Sequence, residues 1–187
     1  MGDTSQFSMD GKVVIVTGGS DGIGRGVAHQ IARAGANVVV TSFAEDQIRT
    51  VVAEIEDLGG EALGIFADVT DATQVRNMVQ ETMGKYGRID ALVNVAGGAT
   101  GPRHKRGPLL EITEQDFVNT FEVNVKSVYL CCREVVPIMQ DQGYGVIVNT
   151  ASEAGRENAK PALGMAAYAA SKAAIITLTR SMAHEWG

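Results

Sequence analysis

Cysteine is almost absent from this sequence. Two occur in 187 residues, Cys131 and Cys132, side by side. That spacing excludes a disulfide framework and a metal-ligand pattern, and reads as two reduced thiols on a helix, at least one of them buried. The three histidines, His29, His104 and His184, are scattered and form no ligand set. Positive charge is in deficit. Sixteen Lys and Arg against 22 Asp and Glu leave a net charge of -6, which argues against general attraction to nucleic acid. No apolar run reaches membrane-spanning length. The first ten residues are polar and lack the apolar core of a signal peptide. A cytoplasmic location is the default, with neither nucleic acid nor membrane as partner. Repeats, low-complexity segments and linkers are also missing, so a single domain over 1–187 is the economical organisation.

What is present is ordinary for a soluble globular core: 45% hydrophobic and 20% charged residues. Short apolar runs alternate with longer amphipathic ones. Residues 12–17 (KVVIVT), 37–42 (NVVVTS), 62–67 (ALGIFA), 90–95 (DALVNV) and 145–150 (GVIVNT) read as buried strands. Helices are expected over 22–34, 45–58, 71–86 behind an Asp71 cap, 114–142 with a break near Asn124, and 165–186. A loop over 97–112 holds two of the four prolines. Apolar strands separated by helices imply an α/β fold, a doubly wound parallel sheet covered on both faces.

Between the first strand and first helix stands Thr17-Gly18-Gly19-Ser20-Asp21-Gly22-Ile23-Gly24. Gly18 allows a sharp turn, Gly22 lets backbone N–H groups approach a pyrophosphate, and Gly24 lets the helix pack close to the sheet. The helix N-terminus adds unpaired donors and a favourable dipole for the anion. Placement between strand and helix is what lifts this glycine pattern above an ordinary turn.

The Gly-x-x-x-Gly-x-Gly spacing resembles that of the short-chain dehydrogenase/reductase family. The resemblance runs from about Gly11 to Gly187 and implies a Rossmann-like sheet in the order 3-2-1-4-5. Asp68-Val69 looks like the family's adenine-contacting pair. Asn94-Val95-Ala96-Gly97 is similar to its Asn-Asn-Ala-Gly motif, with Val95 replacing the second Asn. The cofactor contacts so implied are Gly18, Ser20, Asp21, Gly22, Ile23, Gly24, Ser42, Asp68, Val69, Asn94, Ala96 and Gly97, joined by Tyr168 and Lys172.

Tyr168-Ala169-Ala170-Ser171-Lys172 is a Tyr-x-x-x-Lys pair on an expected helix, where four residues advance about 6 Å and a little over one turn. Both side chains then share a face. A free phenol keeps its proton up to about pH 10. An ammonium about 5 Å away, at an effective dielectric of about 20, favours the phenolate by about 3 kcal/mol, and an oxidised nicotinamide adds a second positive charge. Together they suit a general acid/base. Ser152 follows the fifth strand, and ligands gather at the carboxyl ends of parallel strands, so Ser152 is expected at the same mouth as the glycine turn. In the family, the matching serine bonds the substrate oxygen, the tyrosine moves the proton, and the lysine also holds the nicotinamide ribose. Asn124, in Phe121-Glu122-Val123-Asn124-Val125, looks like the family's fourth member, which organises a water-borne proton relay; a helix kink or cap is the plainer reading. The stretch from Ser152 to Tyr168 runs slightly longer than is usual in the family, beside the substrate pocket.

At the end of the second strand Ser42 stands where an acidic residue would favour NAD. Phe43 follows and Asp21 precedes Gly22, so the basic residues that favour NADP are missing too. Asp21, with Glu45 and Asp46 nearby, would repel a 2′-phosphate. The choice lies between NAD and NADP, with the lean to NAD. Arg103-His104-Lys105-Arg106, in the loop after the fourth strand, suits an anionic substrate or a plain solvated loop. The resemblance also implies a longer chain with further strands and a substrate lid, so the sequence is read as incomplete at its C-terminus, with an apolar edge on the fifth strand. The expected activity is interconversion of a small alcohol and ketone by hydride transfer. A nucleotide-binding or interaction protein without catalysis, and a non-redox lyase or epimerase, are the alternatives. The alanines at 166, 167, 169, 170, 173 and 174 fit either a homodimer or homotetramer contact or internal packing.

Overall fold

A computed structural model describes residues 7–160 and 162–187. The polar opening stretch lies outside the described residues up to position 6. By its internal contacts the chain forms two compact units: residues up to Ala96 with Leu130–Val148, and Gly97–Tyr129 with Asn149–Gly187.

The first unit is a parallel sheet with helices. β1 (Val13–Thr17) leads to α1 (Gly22–Arg33), β2 (Asn37–Ser42) to α2 (Glu45–Asp57), and β3 (Glu61–Phe66) to α3 (Ala72–Tyr86). β4 (Ala91–Asn94) and β5 (Val146–Asn149) complete a five-stranded sheet in the order 3-2-1-4-5. Val14 stands opposite Val38 and Ala91, and Thr17 opposite Thr41 and Asn94. Successive strand residues point to opposite faces. Val14, Val16, Val38, Val40, Ala91 and Val93 therefore share one face, where they meet Ala28 and Ala32 of α1 and Ile48, Val51 and Ile55 of α2. Val13, Ile15, Val39 and Leu92 are as deeply buried on the other. Each such aliphatic side chain contributes roughly 1.5–3 kcal/mol over exposure.

Two strands depart from the buried reading. β3 alternates, with exposed Glu61, Gly64 and Phe66, and β5 leaves Val146 and Val148 half exposed. Among the described residues both lie at the edges of the sheet, where each strand has one neighbour. Asp71 caps α3 by accepting from Thr73 N and Gln74 N. Cys131 and Cys132 are both buried, which pushes both thiols up, Cys132 to about 11 even with Asn94 Nδ2 donating to its sulfur.

In the second unit α4 (Glu114–Phe121) opens with a reciprocal cap between Thr113 and Asp116. It passes through a π-helical turn, Glu122–Lys126, into α5 (Ser127–Gln142), whose residues from Leu130 onward, Pro137 among them, belong to the first unit. A 3₁₀ turn, Glu153–Gly155, precedes α6 (Ala166–Trp186). The break expected near Asn124 is thus a change of helical pitch rather than an interruption. Among the described residues no helix is long and apolar enough to cross a membrane.

Candidate active site

In the first unit the glycine turn is tightly built. Gly18 has φ +63°, and a Cβ there would stand 2.9 Å from Ala96 Cα. A Cβ on Gly24 would lie 2.0 Å from the Gly18 carbonyl oxygen. Gly24 is therefore needed for closure of the turn on itself more than for packing on the sheet. Gly22, at φ +49°, has open space where its Cβ would stand. Asp21 caps α1 and accepts from Gly22 N at 2.7 Å, and no acidic residue occupies the helix's first turn. Ile23 is exposed. The Ser20 hydroxyl donates to Gln47 Oε1 on α2 at 3.3 Å. An open, backbone-lined turn at a helix N-terminus fits a pyrophosphate.

The other candidates of this unit lie just after the carboxyl ends of neighbouring strands. Ser42 Oγ, at the end of β2, accepts from Ala44 N. After β3, Asp68 Oδ1 accepts from both Thr70 N and Thr70 Oγ1, and Val69 is buried. After β4, Thr17 Oγ1 accepts from Val95 N and Ala96 N, each at 3.2 Å. Thr17, unremarked in the sequence beyond its place in the motif, thereby pins the segment that holds Asn94 and Ala96.

In the second unit Lys172 and Tyr168 share a face of α6, with Lys172 Nζ 5.8 Å from the centre of the Tyr168 ring. Lys172 is only 4% exposed, and its Nζ donates to the Thr150 carbonyl at 2.7 Å. Burial holds this amine below the ordinary lysine value, because desolvation disfavours the ammonium. Asn124 is 1% exposed. It lies in the π turn, where Ser127 N reaches back to Glu122 O across five residues. Its Nδ2 donates to Thr120 O and Gly98 O, both at 2.9 Å, and its Oδ1 accepts from Gly98 N at 3.0 Å. Gly97 lies alongside at φ +144°: a Cβ there would stand 2.6 Å from Asn124 Oδ1 and 3.6 Å from Lys172 Nζ. Asn124, Gly97, Lys172 and Tyr168 thus form one cluster.

Ser152 caps the 3₁₀ turn by accepting from Ala154 N. That turn presses on α6 through Gly155, where a Cβ would fall 2.5 Å from Ala173 N and from the Lys172 carbonyl carbon. Sequence reasoning passed over Gly155, since a lone glycine in a loop carries no signal of a close neighbour. It also treated His104 as part of a charged cluster. Here His104 is buried while Arg103, Lys105 and Arg106 are exposed.

Comparison with known proteins agrees with this architecture. A family model described as short chain dehydrogenase matches residues 12–187. An uncharacterised oxidoreductase of Thermotoga maritima is 40% identical over 184 residues, covering 96% of this chain and 68% of its own. A 7α-hydroxysteroid dehydrogenase of Escherichia coli is 37% identical over 187 residues, covering 100% of this chain and 70% of its own. A solved 7α-hydroxysteroid dehydrogenase, complexed with NADH and 7-oxo glycochenodeoxycholic acid, superposes with a TM-score of 0.91 at 35% identity, over 100% of this chain and 70% of that one. A match of this extent shows an NAD(P)-dependent oxidoreductase: the chain belongs to the short-chain dehydrogenase/reductase family.

Proposed function

We infer that the protein interconverts a secondary alcohol and a ketone, with Tyr168 as general acid/base. The observation that carries this is the buried Lys172 amine, positively charged when protonated, beside the Tyr168 ring. In a site of low dielectric that charge favours the phenolate more than it would in water. The Thr150 carbonyl fixes the amine, and Gly97 closes in on it from the side of Asn124. Ser152 donates its hydroxyl to the substrate oxygen, and Asn124 orders the path by which the proton leaves. A bound nicotinamide supplies the hydride acceptor or donor. The backbone of Gly18, Ser20, Asp21, Gly22, Ile23 and Gly24 receives the pyrophosphate. Ser42, Asp68 and Val69 receive the adenosine end, and Asn94, Ala96, Gly97, Tyr168 and Lys172 the nicotinamide end.

Of the two cofactors, NAD fits better. Arg25 lies in α1 just after the turn, and Arg49 in α2 just after β2. Each is held by carboxylates, Arg25 by Glu54 and Arg49 by Glu45 and Asp46. Recruiting either for a 2′-phosphate would compete with these carboxylates, and Asp21 would repel one. A small cyclic or steroidal alcohol is the substrate class that the hydroxysteroid dehydrogenase relative supports. Exposed Phe117 and Val118 on α4 offer apolar surface that a homodimer or homotetramer would cover.

The test is a panel of secondary alcohols from cyclohexanol to a 7α-hydroxysteroid, run with NAD and NADP beside an NADH fluorescence titration. Tyr168→Phe should abolish turnover and preserve NADH binding through the remaining contacts of the glycine turn, Asn94, Ala96, Gly97 and Lys172. Retained turnover refutes the role of Tyr168. NADH binding by the wild type with no turnover on any member favours a non-catalytic nucleotide-binding protein.

A further inference from the structure

His104 is the one member of the basic loop cluster whose side chain is buried, at 5% exposure. Its Nε2 lies 3.2 Å from the Gly98 carbonyl oxygen. A carbonyl can only accept, so Nε2 carries the hydrogen in that bond. The same oxygen accepts from Asn124 Nδ2, and Gly98 N donates to Asn124 Oδ1. Gly98 is therefore a node with both carbonyl lone pairs engaged and its amide returned to Asn124.

The main chain that carries the imidazole is itself pinned. Gly101 and His104 pair in both directions, Gly101 N to His104 O at 3.0 Å and His104 N to Gly101 O at 3.4 Å, around Pro102 and Arg103. A Cβ on Gly101 would stand 2.9 Å from the ring's Cε1, so the ring rests directly on that glycine. The segment it tethers is Gly97-Gly98, two residues with no side chains to anchor them. Their position sets both the orientation of the Asn124 amide and the closeness of Gly97 to Lys172 Nζ.

We propose that His104 is a positioning residue for proton transfer: its Nε2–H holds the Gly98 carbonyl, which keeps the Asn124 amide and the Gly97 backbone in register with Lys172. This rests on the reading of Asn124 and Lys172 given above. A glutamine, whose terminal amide can donate from a similar place, replaces the function. A leucine of similar bulk does not.

Three full-length variants test it: His104→Leu, His104→Gln and Asn124→Ala. The first readout is hydrogen–deuterium exchange at the Gly98 amide with NADH present, which needs no turnover. Exchange should accelerate in His104→Leu and stay near wild type in His104→Gln; unchanged exchange in His104→Leu overturns the proposal. The second readout is steady-state kinetics on whichever panel alcohol the wild type oxidises best. His104→Leu should lower kcat on the order of tenfold to a hundredfold with KM for NAD little changed, and His104→Gln should restore most of it. Equal loss in both variants, or loss in KM alone, also overturns it. If Asn124→Ala turns over like wild type, the underlying reading of Asn124 falls; if Asn124→Ala is impaired and His104→Leu is not, only the present inference falls.

Discussion

At the scale of single residues, the most consequential feature is an amine kept where water cannot reach it. Lys172 is buried, and its ammonium is disfavoured by desolvation. A lysine in the unfolded chain titrates near about 10.4. Between the lowered folded value and that one, the unfolded state holds a proton that the folded state has released. Stability therefore rises with pH across this window, and the cost of the buried charge is fully present below it. Lys172→Met should flatten that rise, measured as unfolding free energy by denaturant titration from neutral pH to pH 10. At neutral pH the lost charge and the lost bond to Thr150 oppose one another, so Tm should move by only a few degrees. Turnover should fall about 100-fold or more, as for loss of a group that assists proton transfer. An unchanged alkaline slope would mean that the amine is solvated in the folded protein. The Tyr168–Lys172 pairing was legible in the sequence because a four-residue step on a helix always returns to the same face. The burial of Lys172 was not, because it depends on Gly97, Thr150 and Gly155, which come from elsewhere in the chain.

At the scale of elements, hydrophobic period placed strands and helices well. β2 was read with its observed bounds, and the other strands and α1–α3 within a residue or two. The failures share a cause. The π turn at Glu122–Lys126 and the 3₁₀ turn at Glu153–Gly155 involve partners from elsewhere in the chain, Gly98 for Asn124 and the backbone of α6 for Gly155, whereas the passage of α5 through Pro137 agrees with the helix expected over 114–142. Asn124, within that π turn, also donates from Nδ2 to the Thr120 carbonyl of α4, a local bond of the kind that the kink-or-cap reading expects. Two glycines separate element-level packing from mere composition. Gly155→Ala puts a methyl against the backbone of α6 at Lys172–Ala173 and should cost about 1–3 kcal/mol, with turnover falling as the Ser152 turn is pushed away. Gly26→Ala, in α1 with nothing near its Cβ position, should gain roughly 0.4–1 kcal/mol. Thermal and denaturant unfolding of the pair checks both signs. Destabilisation by Gly26→Ala, or none by Gly155→Ala, would contradict the packing described.

At the scale of the whole molecule, the sheet is tied at the end opposite the glycine turn by one carboxylate. Asp90, 2% exposed, accepts from Val13 N at 3.0 Å, Lys12 Nζ at 3.2 Å, and Arg88 Nε and Nη2 at 2.7 and 2.6 Å. Its backbone carbonyl accepts from Val146 N, so β1, β4 and β5 all meet there. Burial alone would push this carboxyl up, but the bonds from Arg88, Val13 and Lys12 outweigh it and hold it below its ordinary value. A depressed carboxylate contributes stability that is present above the unfolded value, near about 3.9, and is lost as pH falls through the folded one. Acid should therefore loosen the sheet from this end. Asp90→Asn removes the charge but not the shape. It should lower stability at pH 7 by about 2–3 kcal/mol, the scale of charge-assisted hydrogen bonds, and flatten the decline below about pH 5. Since Asp90 lies at the amino ends of the strands, turnover at a temperature well below Tm should persist. Circular dichroism melts from pH 7 to pH 3, beside the wild type, distinguish the outcomes. If the two acid limbs run parallel, the acid sensitivity belongs to the other 21 carboxylates of this acidic chain rather than to the one that binds its strands together.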